Sequence, residues 1–290
     1  MAQGIVITRN EAIIEVRLDR PKANAIDLAA SHALNDTFKA FRDDKDLRVC
    51  IVTGTGEKFF SAGWDLKAAA GGEASDSDWG EGGFAGLNHP RNLNKPVIAA
   101  INGPAIGIGV TMILPMDIRI AADSARFGLP FSRRGIVPES CATWFLPRVV
   151  GIANAVDWGV TGRIFPASEA LGAGLVRELV PAADVLDRAM QVAAEIATTT
   201  SAVSVALTRQ MMWRQLGSPH PISANRLESK ALLALGGMDD AREGVSAFRE
   251  KRPAEFPLTV RDLPAFVPWW DEENFDDVGV EPATDGGDPR

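Results

Sequence analysis

A chain of 290 residues, 46% hydrophobic and 23% charged, is long enough to bury a large core in one domain or two. Its formal net charge of −8 argues against nucleic acid as a main partner, because phosphate backbones are met by clustered Lys and Arg. No apolar run reaches the roughly 18 residues of a membrane span, and the opening MAQGIVITRNEA lacks the basic start and long apolar centre of a signal peptide, so a cytoplasmic protein without membrane contact is expected.

Alternating short strands and helices are predicted along the chain. In AIIEVRLDRP, Ile14, Val16 and Leu18 alternate with Glu15, Arg17 and Asp19, the period-two pattern of a half-buried strand ending at Pro21. Asp27 is placed to cap a helix running to about Asp43, with Leu28, Leu34, Phe38 and Phe41 near one face. LRVCIVTG reads as a buried strand stopping at Gly54, and KPVIAAING as another, closed by Asn102 and Gly103. Between them lies a glycine-rich acidic loop over 71–83; loops of that length are usually mobile or functional. From about Ala182 the pattern turns mainly helical, and an irregular acidic tail follows Pro264. Cys50 and Cys141 stand in apolar contexts without metal-ligand spacing; they read as buried free thiols, with no metal site.

Two glycine-rich turns carry most of the chemical information. The first is Ala62-Gly63-Trp64 within FFSAGWDLK, and the second is GPAIGIG, Gly103 to Gly109. Glycine permits backbone torsions that other residues resist and lets a ligand approach the main chain. Helix-start N–H groups lack partners and favour negative charge. Neither turn is a dinucleotide fingerprint, and each by itself reads as only a tight connection.

The segments FFSAGWDLK, KPVIAAINGPAIGIG, DIRIAADSARFGLP, GIVPES and EGVSAFREKRP occur in the order found in the crotonase superfamily, or enoyl-CoA hydratase/isomerase family. The chain resembles that family over roughly residues 5–255, and LDRPKANAID and GGFAGL are most similar to its carnitinyl-CoA dehydratase branch. The resemblance implies an α/β crotonase-like (ClpP/crotonase) spiral of ββα units with a C-terminal helical oligomerisation region. It divides the chain into an acyl-CoA-binding core over 1–200, helices over 201–263 and a tail over 264–290. It also implies a homo-trimer or dimer of trimers. Coenzyme A enters as part of the substrate thioester, with no resident cofactor. The thioester oxygen is held by the main-chain N–H groups of Trp64 and Ile108. Backbone at Ala25 and Ala62 meets CoA, Lys22 and Lys67 meet its phosphates, and Phe248 and Lys251 reach the CoA of a neighbouring subunit. Each lysine has the alternative reading of a solvated surface charge.

The departures from that family's pattern bear on the reaction. Its hydratases place two glutamates around a water, where this chain has Thr111 and Phe131, a departure from the carnitinyl-CoA dehydratase branch as well. Glu139 survives, in the PE context where the family's isomerases carry an acid. One carboxylate suffices for 3,2-enoyl-CoA isomerisation, removing a proton at C2 and returning it at C4. A drier pocket raises the pKa of such a carboxyl, whereas a position at a helix start lowers it. The expected activity is therefore isomerisation. A hydratase or carnitinyl-CoA-type dehydratase is the alternative, and a catalytically silent CoA-binding homologue a third. Glu139 as a solvent-facing residue of a first helical turn also remains open. His32 and His220 read as ordinary surface or packing residues, His89 as a possible border of the acyl pocket, Asp65 as a local cap, and Arg133 and Arg134 as partners of the acidic loop or water.

Overall fold

The computed structural model describes residues 4–20, 22–65, 67 and 93–268. The acidic loop over 71–83, His89 and the tail beyond 268 lie outside them.

Strands β1 (Ile5–Asn10) and β2 (Ile13–Leu18) pair antiparallel, and Ile14, Val16 and Leu18 are buried as their alternation requires. The start of α1 (Leu28–Asp43) is set by Asp27, whose side chain accepts from the Ala30 N–H at 2.8 Å and satisfies one of the donors a helix leaves open. Leu34, Phe38 and Phe41 enter the core, whereas Leu28 is half-buried. Strands β3 (Val49–Gly54) and β4 (Val97–Ile101) are buried at every position. Parallel strands covered on both faces read as unbroken apolar runs, and these two do.

There follow β5 (Ala105–Ile106), α2 (Ile108–Thr111), β6 (Ile118–Ala122), β7 (Arg126–Gly128), α3 (Ala142–Thr161), β8 (Ile164–Pro166), α4 (Ala167–Gly172) and β9 (Glu178–Val180). The main sheet has the order β1-β2-β3-β4-β6-β9 and is parallel beyond β2; β5, β7 and β8 form a second sheet. Across the centre Val16 lies beside Val52, and Val52 beside Ala99.

Helices α5 (Val185–Thr199), α6 (Ala202–Gln215), α7 (Pro221–Gly236) and α8 (Asp239–Glu250) complete the ordered elements. Val185, Ala189, Val192 and Ala193 of α5 join the main core, while Val203, Leu207 and Ala231 centre a second, smaller cluster. Asp117 ties α6 to the sheet, accepting from the Val97 N–H, Arg209 Nε and Trp213 Nε1, each at 2.9 Å. Among the described residues no helix is long and apolar enough to cross a membrane.

Two local expectations change. Helix α3 opens at Ala142, not at Glu139, because Ser140 and Cys141 both take left-handed torsions, with φ of 54° and 56°. Cys50 is buried but Cys141 is exposed, since it stands at the N-cap of that helix rather than within the core.

Candidate active site

The two glycine turns follow the neighbouring parallel strands β3 and β4, so they emerge at one edge of the sheet, where strand carboxyl ends leave a crevice. Asn102 clamps the two exits together. Its Nδ2 donates to the carbonyls of Gly54 at 3.0 Å and Gly56 at 2.7 Å, and its Oδ1 accepts from the Gly54 N–H at 3.2 Å. Ser61 then bridges Ala105, with the Ile106 N–H donating to the Ser61 carbonyl at 2.9 Å. Beyond the bridge, Gly63 abuts the second turn: a Cβ on it would stand 2.6 Å from the Ile106 carbonyl oxygen and 3.7 Å from Gly107 Cα. Gly63 and Gly107 also carry positive φ, 97° and 56°, torsions at which a side chain is strained.

This contact brings the Gly63-Trp64 and Gly107-Ile108 peptides together. The Ile26 N–H donates to the Gly63 carbonyl at 2.9 Å and the Asp65 N–H to the Ile26 carbonyl at 2.8 Å, a parallel bridge that turns the Trp64 N–H away from Ile26. In the second turn the Gly107 N–H is spent on the Gly128 carbonyl at 2.9 Å. Helix α2 therefore begins at Ile108, whose N–H lies in a first turn and has no acceptor among the described residues. Phe131 walls this turn: its Cζ lies 3.9 Å from a Cβ placed on Gly107.

Glu139 is half-buried and joined to α2 through one side chain. The buried Thr111, three residues after Ile108, donates its hydroxyl to Glu139 Oε1 at 2.6 Å, and Ser140 Oγ donates to Oε2. Burial pushes the carboxyl pKa above its ordinary value, and the two hydroxyl bonds offset this only in part. The solvent-facing helical position left open by the sequence is therefore not the one observed. The left-handed torsions of Ser140 and Cys141 cost roughly 1–2 kcal/mol each, strain located directly beside the carboxyl group.

Thr111 enters the sequence reading only as a missing acid, and Ser140 not at all. Their bonds to Glu139 join positions 28 residues and one residue apart, and no local sequence signal announces either.

The remaining expected residues scatter more widely. Lys22 is exposed and borders a cleft of ≈ 530 Å³ together with Arg20, Asn24, Lys58 and Phe59. The Ala25 carbonyl accepts from Arg20 Nη1 at 2.7 Å and the Ala62 N–H donates to the Ala23 carbonyl at 2.9 Å, so these two groups are engaged within the chain. Lys67 is exposed beside Asp65, which caps the Lys67 N–H at 3.0 Å and meets Arg20 at 3.3 Å. Phe248, 86% exposed, and Lys251 lie at the surface at the end of α8. His220 Nδ1 accepts from the Ile222 N–H at 3.1 Å as the cap of α7, and Arg133 Nε donates to the Thr161 carbonyl at 2.8 Å.

A mixed sheet with paired glycine turns at its carboxyl edge and a half-buried acid beside them defines a class. The chain belongs to the enoyl-CoA hydratase/isomerase family, whose model matches residues 8–258, and it has the crotonase fold. It is 46% identical over 88% of its length to a carnitinyl-CoA dehydratase of Salmonella arizonae, covering 99% of that protein. With a carnitinyl-CoA dehydratase of Escherichia coli K12 it shares 44% identity over 87% of the chain and 97% of the relative. Among solved structures, an enoyl-CoA hydratase from Bacillus anthracis superposes with a TM-score of 0.80 at 31% identity, covering 88% of this chain and 99% of that one. Both relatives are named for dehydration, not for the isomerisation expected from the sequence.

Proposed function

We propose that this protein is an acyl-CoA hydro-lyase of the carnitinyl-CoA dehydratase type. Glu139 removes the C2 proton of a 3-hydroxyacyl-CoA, and the electron pair moves into the thioester, whose oxygen becomes negative between the N–H groups of Trp64 and Ile108. A preorganised donor of this kind is worth about 2.7–4 kcal/mol in the transition state. The protonated Glu139 then delivers its proton to the C3 hydroxyl; water leaves as the C2–C3 double bond forms. One carboxyl group thus serves as base and acid on one face of the substrate.

The observation that carries this reading is the chain of contacts from Ile108 through Thr111 to Glu139, which puts the acid one side chain from the helix that begins with the oxyanion donor. The dehydratase relatives, matched over nearly their whole length, support the choice of reaction. CoA is assigned to Ala25, Ala62, Lys22 and Lys67, with Phe248 and Lys251 supplied to a neighbour in a trimer or dimer of trimers. The cleft beside Lys22, with Arg20 and Lys58, supports a phosphate-bearing ligand there. A second reading, 3,2-enoyl-CoA isomerisation, is favoured by Thr111 and Phe131 standing where two-acid members keep carboxylates.

Carnitinyl-CoA and a 3-enoyl-CoA, each followed by the absorbance of the conjugated 2-enoyl thioester, separate the readings. Conversion of carnitinyl-CoA that is lost in Glu139→Gln supports the dehydratase. Conversion of the 3-enoyl thioester alone favours the isomerase. CoA binding without either reaction overturns both.

A further inference from the structure

We propose that Thr111 is a positioning residue that holds the Glu139 carboxyl group in one orientation through both of its charge states. The proposal rests on the acid–base role given to Glu139 above. Thr111 Oγ1 lies 2.6 Å from Glu139 Oε1 and 3.4 Å from the Ile108 carbonyl oxygen. A hydroxyl has one proton and two lone pairs, so it donates to one of these acceptors at a time. While Glu139 is ionised it can only accept, and the 2.6 Å contact takes the proton. Once Glu139 has taken the substrate proton on Oε2, at the lone pair that Ser140 leaves to the substrate, Oε1 is the carbonyl oxygen of the acid and still accepts from Thr111 Oγ1. No partner has to move far.

Ser140 holds the other carboxyl oxygen, and each oxygen keeps a second lone pair for the substrate. An acid in place of Thr111 would compete for the proton, as two adjacent carboxylates cannot both ionise freely. Valine would support neither charge state. Among the described residues the Cys141 thiol is a titratable group that senses this carboxylate: partial desolvation of its otherwise exposed residue raises its pKa first, and the Glu139 charge second.

The full-length protein is compared with Thr111→Val and Thr111→Ser. Valine is expected to lower kcat by about ten- to a hundred-fold with little change in KM. Loss of a donor to the charged form also moves the acid limb of the pH–rate profile to higher pH, and serine restores both. Infrared difference spectra against Glu139→Gln follow the carboxyl titration without substrate, and the same upward move and its serine rescue are expected there. Thr111→Cys, of similar size but a weak donor, supplies the comparison where valine does not fold. A valine or cysteine variant with wild-type kcat and an unmoved titration overturns the proposal, as does a serine variant that behaves like valine. If the wild type turns over no thioester, the role of Glu139 fails, while the infrared titration still decides whether Thr111 orients it: an unmoved band overturns the proposal.

Discussion

Gly63 lies so close to Ile106 that a methyl group on it would sit 2.6 Å from the Ile106 carbonyl oxygen. That approach places the Trp64 peptide beside the Gly107-Ile108 turn. Gly63→Ala forces the turns apart and strains a φ of 97°, since the obstacle is backbone and not a flexible side chain. A fall in kcat of about 10²–10³, the value of one oxyanion donor, is expected. Stability should drop by about 1–3 kcal/mol as the methyl group is accommodated. Steady-state kinetics with urea unfolding check both; lost stability with unchanged kcat would confine Gly63 to packing.

Glu139→Gln is expected to separate stability from activity. Burial raises the folded-state pKa of Glu139 above its unfolded value, so the carboxyl stabilises the fold while protonated, and that contribution is lost as pH rises through the folded pKa. Above its unfolded pKa the shifted carboxyl costs the fold stability, and glutamine, which keeps the shape without the charge, should raise Tm at neutral pH. Near pH 4 the two proteins should converge. Turnover should fall by about 10²–10⁴-fold, the worth of a positioned acid–base. Calorimetry across pH 4–8 tests the sign, and equal Tm values at every pH would contradict it.

The relation between Glu139 and Thr111 also shows what the sequence hides. The alternation of Ile14, Val16 and Leu18, the Asp27 cap and the unbroken apolar runs of β3 and β4 are local signals, and the elements form where these place them. Strands β5 and β8, of two and three residues, are too short to show any period. The start of α3 was blurred because Ser140 and Cys141 adopt torsions that neither residue type announces. In the site, the glycines are legible because sterics alone demand them. Thr111 reads as a lost acid because its partner is 28 residues away and meets it only after folding.

Asp117 is the joint between sheet and helices. Its carboxylate accepts from the Val97 backbone, Arg209 and Trp213, and the Arg209 side chain is only 6% exposed. Asp117→Ala removes the negative charge facing a buried guanidinium, which typically costs about 3–5 kcal/mol. The urea midpoint should fall accordingly. Asp117→Asn, which keeps acceptors but no charge, should fall less; an equal loss would mean that shape and not charge matters.

Lys95 gives the fold a pH dependence on the alkaline side. Its buried Nζ donates to the carbonyl of Phe41 at 2.6 Å and to that of Asp44, at the end of α1, and lies 5.0 Å from the centre of the Phe41 ring. Burial lowers its pKa from 10.5 to about 8, with Asp44 and Asp43 opposing the shift. A neutral amine still has two N–H donors, enough for both carbonyls, so deprotonation costs no bond. Between pH ~8 and ~10.5 the unfolded chain binds the proton that the folded one has released, so stability should rise with pH in that window. Lys95→Met, which cannot titrate, should remove this rise. The difference in urea midpoint between wild type and variant, measured from pH 7 to 10, isolates the term from those of other lysines; a constant difference would show that Lys95 keeps its proton within the fold.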